Sequence, residues 1–288
     1  MIPAAFDYHA PTSVDEALQL LAAAAADGKD VKVMGGGQSL IPVLRLRLAA
    51  PEVIVDLGRI GDLADVRDDG DALVIGAMAT HDTVLRHELV RQHALLLALA
   101  TETVADPQVR HRGTFGGALV HADPAGDLPA PTLALGAEMV IAGAGGERRT
   151  VAAADFFQDL FTTAVGEGEL LVQVRVPKYT GWGACYEKFN RISHAWAMVG
   201  AAVALKVEGG TIAEARVGLT NMGSVPVRAT GVEAALVGQR ATSDAVRVAC
   251  AAAGDGTTPP TDANADADYR RHLAGVLTGR AVLSAAGA

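Results

Sequence analysis

Apolar positions recur along the chain in blocks whose spacing predicts helices alternating with short strands. Ser13-Val14-Asp15-Glu16 has the spacing of a capping box, and Ala17, Leu18, Leu20 and Leu21 form an apolar face behind it. A first helix is therefore expected to end near Gly28. Residues 31–34 read as a strand stopped by Gly35-Gly36-Gly37, and a helical turn with Leu40, Val43 and Leu44 follows before Pro51 breaks it. Residues 53–55 and 73–75 read as further strands, so the first part of the chain is a small α/β unit. The pattern from 80 to 104 is helical. Then the periodicity stops, and the polar, glycine-bearing stretch 106–117 reads as a long irregular segment of the kind that carries function. Residues 139–142 and 149–151 flank Gly143-Ala144-Gly145-Gly146 as a hairpin, and 170–176 is a strand closed by Pro177. Beyond Pro177 the texture changes. Strands at 186–189, 201–207 and 212–219 form an antiparallel meander, and from Val232 the chain is Ala-rich and helical, broken at 254–260. A domain boundary is expected near residue 178, and no internal repeat is visible.

Composition narrows the function. Half of the 288 residues are hydrophobic and 20% are charged, so a sizeable core can form. Aromatic residues make up only 4%, so that core must consist mainly of Ala, Val, Leu and Ile. A net charge of −9 argues against wrapping nucleic acid or coating an anionic membrane. Ligand phosphates would then be held by backbone N–H groups more than by a field of Lys and Arg. With two cysteines, Cys185 and Cys250, the chain can supply neither a disulfide scaffold nor four thiolates for an iron–sulfur cluster. No run of about 18 apolar residues exists and the first residues lack a signal-peptide pattern, so the expectation is a cytoplasmic protein that is not integral to a membrane.

Two glycine turns are the strongest chemical candidates. Gly35-Gly36-Gly37-Gln38-Ser39 follows a strand and precedes a helical turn, so its N–H groups could form a nest for a pyrophosphate, with the Ser39 hydroxyl as a further donor. It fits neither the P-loop nor the GxGxxG spacing, and a tight structural turn explains it equally well. Thr114-Phe115-Gly116-Gly117 is a second such turn, and two turns from separate elements could grip one dinucleotide. Asp127 could accept from ribose hydroxyls, or Asp123 and Asp127 could be loop and cap residues around Pro124. His121-Ala122-Asp123 lacks a third ligand at metal spacing, and no G-x-S-x-G elbow exists, so neither a metal site nor a catalytic residue is assigned. Tyr186-Glu187-Lys188-Phe189-Asn190-Arg191 reads as a half-exposed strand, and Trp196 fits a core as well as a cofactor-facing position.

Order and spacing join these pieces. Gly35-Gly36-Gly37-Gln38-Ser39-Leu40, the segment 106–117 that ends Arg112-Gly113-Thr114-Phe115-Gly116-Gly117, Asp127 and Tyr186-Glu187-Lys188 together resemble the FAD-binding medium subunits of molybdenum hydroxylases, above all the aerobic carbon monoxide dehydrogenase group, a module that xanthine dehydrogenase also carries. The resemblance covers essentially the whole chain. It implies an α+β fold: a two-part FAD-binding domain of the vanillyl-alcohol-oxidase/PCMH type over 1–177 (parts at about 1–57 and 58–177), then an antiparallel sheet with helices over 178–288. It also implies that residues 35–40, with Lys32 ahead of them, wrap the FAD pyrophosphate, and that Thr114, Phe115, Gly116 and Gly117 hold its other side. By the same resemblance Val104 lies near the adenine, Asp127 binds an FAD hydroxyl, Leu170 and Lys188 line the flavin end, and Trp196 stands beside the isoalloxazine ring. The implied partners are a large molybdenum-cofactor subunit and a small subunit with [2Fe–2S] clusters, in a dimer of heterotrimers. The implied acceptor is quinone, NAD or oxygen, and the inner face of the membrane stays open as a place of attachment. Gln38 stands where many carbon monoxide dehydrogenase subunits have His; both side chains donate a hydrogen bond, so FAD binding is unaffected while the substrate stays open. A self-contained flavin oxidase using His194, and a cofactor-free scaffold subunit, are the two other readings.

Overall fold

The computed structural model describes residues 2–287; Met1 and Ala288, the outer limits of the two expected domains, lie outside them. The first unit runs β1 (Asp7–His9), α1 (Val14–Ala26), β2 (Val31–Met34), α2 (Leu40–Arg45) and β3 (Val53–Asp56). Val53, Ile54 and Val55 are all buried, which suits the central strand of a parallel sheet in the order β1-β3-β2. α1 crosses between the edge strands and buries Ala17, Leu18 and Leu21 on β3. Ser13 caps it by accepting from the Glu16 N–H at 3.2 Å. Glu16 reaches back one residue further than a strict capping box, to the Thr12 N–H at 2.7 Å.

The second unit carries β4 (Val66–Asp69), β5 (Ala72–Gly76), α3 (His81–Arg86), α4 (Glu88–His93), α5 (Leu95–Glu102), α6 (Pro107–Arg110), α7 (Phe115–His121), α8 (Pro129–Ala134), β6 (Glu138–Ala142), β7 (Arg148–Ala152), α9 (Ala153–Phe156), β8 (Phe157–Asp159), β9 (Thr162–Thr163) and β10 (Leu170–Pro177). Five of these strands form an antiparallel sheet in the order β4-β5-β10-β6-β7. The expected hairpin around Gly143 is the β6–β7 pair. Two expectations are corrected. The helical stretch 80–104 is three helices, because His87 turns extended and Ala94 leaves helical dihedrals, and Tyr179 takes the His93 carbonyl where α4 stops. The segment 106–117 is ordered by two side-chain caps: Asp106 accepts from the Val109 N–H at 2.9 Å to start α6, and Thr114 from the Gly117 N–H at 3.2 Å to start α7.

The third unit is the expected meander, β11 (Gly183–Phe189), β12 (Val199–Glu208), β13 (Thr211–Thr220) and β14 (Val227–Arg228), followed by α10 (Thr230–Leu236), α11 (Ser243–Cys250) and α12 (Ala267–Ala286). The period of two splits its side chains between two cores. Val199, Ala201, Val203 and Leu205 pack under α10, α11 and α12, whereas Tyr186, Ala202 and Ala204 join the core of the second unit. Lys188, two residues past Tyr186 in β11, therefore shares the face turned toward α5 and the 122–127 loop.

Candidate functional site

The site begins at the carboxyl end of β2. Gly37 takes φ +75°, which reverses the chain into α2. Among the described residues, none of the backbone N–H groups of 36–40 donates to another group of the chain. The Ser39 hydroxyl likewise makes no cap bond to α2. A run of free donors is what a polyanion needs and what a purely structural turn does not require.

The second glycine turn lies against the first. A Cβ at Gly35 would stand 2.7 Å from Thr114 Oγ1, and one at Gly36 would overlap the Arg112 carbonyl and sit 2.7 Å from Gly113 Cα. Gly113 in turn leaves room for the His81 ring, 2.7 Å from where its Cβ would be. The turn is tied down by strand-like bonds from the His81 N–H to the Gly113 carbonyl at 2.9 Å and from the Phe115 N–H to the Ala79 carbonyl at 2.8 Å. Burial, with the Arg110 charge adding to it, lowers the His81 pKa to about 4, so its imidazole is neutral at physiological pH.

α6 and the 188–194 segment enclose an open cleft of about 430 Å³. Thr103, Asp106, Arg110, Lys188 and His194 are among its walls. Lys188 is held from behind. Its Nζ donates to Asp127 Oδ2 at 2.8 Å and to the Thr103 carbonyl at 3.1 Å. The Tyr186 hydroxyl donates to Asp127 Oδ1 at 2.9 Å and lies 3.2 Å from Thr220 Oγ1. Burial pushes the Asp127 carboxyl above its ordinary range, against the pull of Lys188, and burial raises the Tyr186 phenol well above its own.

The structure thus brings Gly35, Gly36 and Thr114 together, and Asp127 with Lys188. It treats other expected site residues differently. Each Asp127 oxygen accepts one bond from within the protein, from Tyr186 and from Lys188. Phe115 and Leu170 are buried core residues, and Gly116 is small because it packs on the Ala77 backbone. Lys32 is exposed and pairs with Asp30, and Gln38 donates to the Gly36 carbonyl. The Val104 carbonyl accepts from Arg110 at 2.8 Å. Trp196 is 56% exposed, so it is no core residue. Met78 and His81, which sequence reasoning did not single out, also lie against the glycine turns, as does the Arg112 backbone. The short Gly76-Ala77-Met78-Ala79 run of mostly small residues was the one signal that pointed there. No group of three or more His, Cys, Asp or Glu side chains among the described residues could hold a metal ion, and no helix among them is long and apolar enough to cross a membrane.

Known proteins share both parts of the chain. Residues 4–179 match the family described as the FAD binding domain in molybdopterin dehydrogenase, and residues 184–285 match the CO dehydrogenase flavoprotein C-terminal domain. The chain is 41% identical to the carbon monoxide dehydrogenase medium chain of Hydrogenophaga pseudoflava, across 99% of this chain and 98% of that one. It is 35% identical to the glyceraldehyde dehydrogenase medium chain of Sulfolobus acidocaldarius, across 98% of each. A solved structure of carbon monoxide dehydrogenase from Hydrogenophaga pseudoflava, which lacks the Mo-pyranopterin moiety of the molybdenum cofactor, superposes with a TM-score of 0.93 at 41% identity, covering 99% of this chain and 98% of that chain.

Proposed function

The chain belongs to the FAD-binding medium-subunit family of the molybdenum hydroxylases and is an oxidoreductase subunit, and on that footing we propose that it is the flavin-carrying electron-transfer subunit of a three-subunit enzyme. A large subunit would carry the molybdenum cofactor and the substrate site, and a small subunit the [2Fe–2S] clusters. Quinone, NAD or oxygen would be the final acceptor, and two such trimers would pair. The two cysteines of this chain leave the clusters to a partner.

The observation that carries this reading is the run of free N–H groups at 36–40, set against the Arg112–Thr114 backbone. The residues present fit FAD. The 36–40 amides and the Ser39 hydroxyl would hold the pyrophosphate, Thr114 would close the other side, and the cleft beside Lys188 has room for a ring system. Bound there, FAD supplies the link between one-electron carriers and a two-electron acceptor. The protein's own part is to orient the group and keep its surroundings fixed: α6 and α7 are anchored by their caps, and Lys188 by its buried partners.

The test is an absorption spectrum of the chain purified with whatever accompanies it, with molybdenum and iron assayed alongside. Flavin bands with two companion chains, molybdenum and iron are expected. Flavin and turnover in the isolated chain would instead make it a self-contained oxidase. No flavin even after addition of FAD would overturn the reading.

A further inference from the structure

We propose that Tyr186 is a positioning residue that acts through Asp127 on Lys188, holding the Lys188 ammonium at the wall of the cleft as half of a charge-balanced pair. Four observations carry this. Tyr186 is buried, and its hydroxyl donates to the Asp127 carboxylate that Lys188 holds on the other oxygen. Gly200 of β12 stands opposite Lys188 of β11 and Thr220 of β13, and a Cβ there would lie 2.5 Å from the Tyr186 hydroxyl, so a glycine keeps the space that the hydroxyl needs. Lys188 is the one member of the trio that lines the cleft. Its second contact, the Thr103 carbonyl, leaves the ammonium little freedom to swing away.

The charge logic comes from the neighbours. Asp127 faces Lys188 and Tyr186 from β11 and Asp123 from its own loop; behind them, Thr220 of β13 lies against the Tyr186 hydroxyl, and the Thr103 carbonyl at the end of α5 accepts from Lys188. The cleft around Lys188 also holds Glu102, Asp106, Arg110 and His194. With Asp127 ionised, the pair is neutral. When Asp127 takes a proton, Lys188 presents an uncompensated positive charge to the cleft. A positive charge beside a reducible ring favours the reduced, more electron-rich state, so the potential of a flavin in the cleft should bend upward at acid pH. Removing the Tyr186 hydroxyl takes away one charge-assisted bond to the carboxylate, so Asp127 protonates at higher pH, by about one pH unit or more.

This rests on the FAD reading. The experiment is dye-equilibrated reductive titration of the flavin in the purified complex across the pH range in which it stays folded, for the unaltered protein, Tyr186→Phe, Asp127→Asn and Tyr179→Phe. Absence of flavin in the unaltered complex would sink the FAD reading, an outcome distinct from any difference among the variants. With flavin present, Tyr186→Phe should move the acid bend upward by about one pH unit, or bring a bend into range where none was seen. Asp127→Asn should remove the bend and raise the potential throughout. Tyr179→Phe, whose hydroxyl serves the Leu135 carbonyl, should behave as the unaltered protein does. A Tyr186→Phe profile that overlies the unaltered one overturns the proposal. If Tyr186→Phe does not assemble, a bend that survives in Asp127→Asn overturns it.

Discussion

Gly36 lies against the carbonyl of Arg112 with no room for a side chain, and this contact is where the two glycine turns meet. The turns are 76 residues apart by those two positions, yet each is shaped to admit the other. Replacing Gly36 by Ala would force the Arg112–Gly113 backbone away. The expected cost is about 2 kcal/mol or more in stability, with loss of flavin. Thermal unfolding and flavin-to-protein ratio check this, and a Gly36→Ala protein with full flavin occupancy would remove the turn from the site.

Thr114 has two tasks, capping α7 and packing on Gly35. Thr114→Val keeps the shape but loses the cap, at a cost of about 1 kcal/mol. Thr114→Ser should retain the cap and most of the flavin affinity. Measuring FAD affinity of both variants separates the hydroxyl from the methyl group.

His81 should make stability depend on pH. Its folded pKa of about 4 lies below its ordinary value of 6.5, so between these values the unfolded chain binds a proton that the native state refuses. Stability is therefore full above about pH 6.5, falls as pH drops through this window, and levels off below about 4, for a total of roughly 3 kcal/mol. Urea titrations at a series of pH values should show this slope in the unaltered protein. His81→Gln should flatten it, and an unchanged slope would assign it to other groups.

Arg270 is buried in α12, donates to the Met198 carbonyl and pairs with Asp262 at 2.8 Å. Asn221 donates to the neighbouring Ala197 carbonyl at 2.7 Å, so both residues anchor the end of the 190–197 loop that carries His194 and Trp196. Arg270→Met should cost about 1–2 kcal/mol and speed amide hydrogen exchange in 190–198. Exchange at the same rate as in the unaltered protein would show that Asn221 alone holds the loop.

Much of the fold is legible in local pattern. The Ser13 cap, the strand at 53–55, the hairpin around Gly143 and the meander after Pro177 each arise from residues that meet their partners within a few positions or at period two. The glycine turns are legible for the same reason, because a turn needing positive φ, as at Gly37, selects its residue locally. The resemblance then placed the two turns in one site, which their separate patterns could not.

Partnership across the chain was not legible. Sequence assigned no partner within the chain to Asp127, because an aspartate after a glycine turn has the same sequence whether it faces solvent or a lysine. Only folding showed that Lys188, 61 residues on, and Tyr186 occupy both its oxygens. Phe115 and Leu170 entered the core because the sheets close over them, and His81 became neutral because burial, with the Arg110 charge beside it, disfavours its charged form. Sequence determined the elements, the turns and the family, since dihedral preference and hydrophobic period are properties of neighbouring residues. Tertiary structure decided which polar groups are left free and which face one another, because burial and Coulomb interaction depend on distance in space and not along the chain.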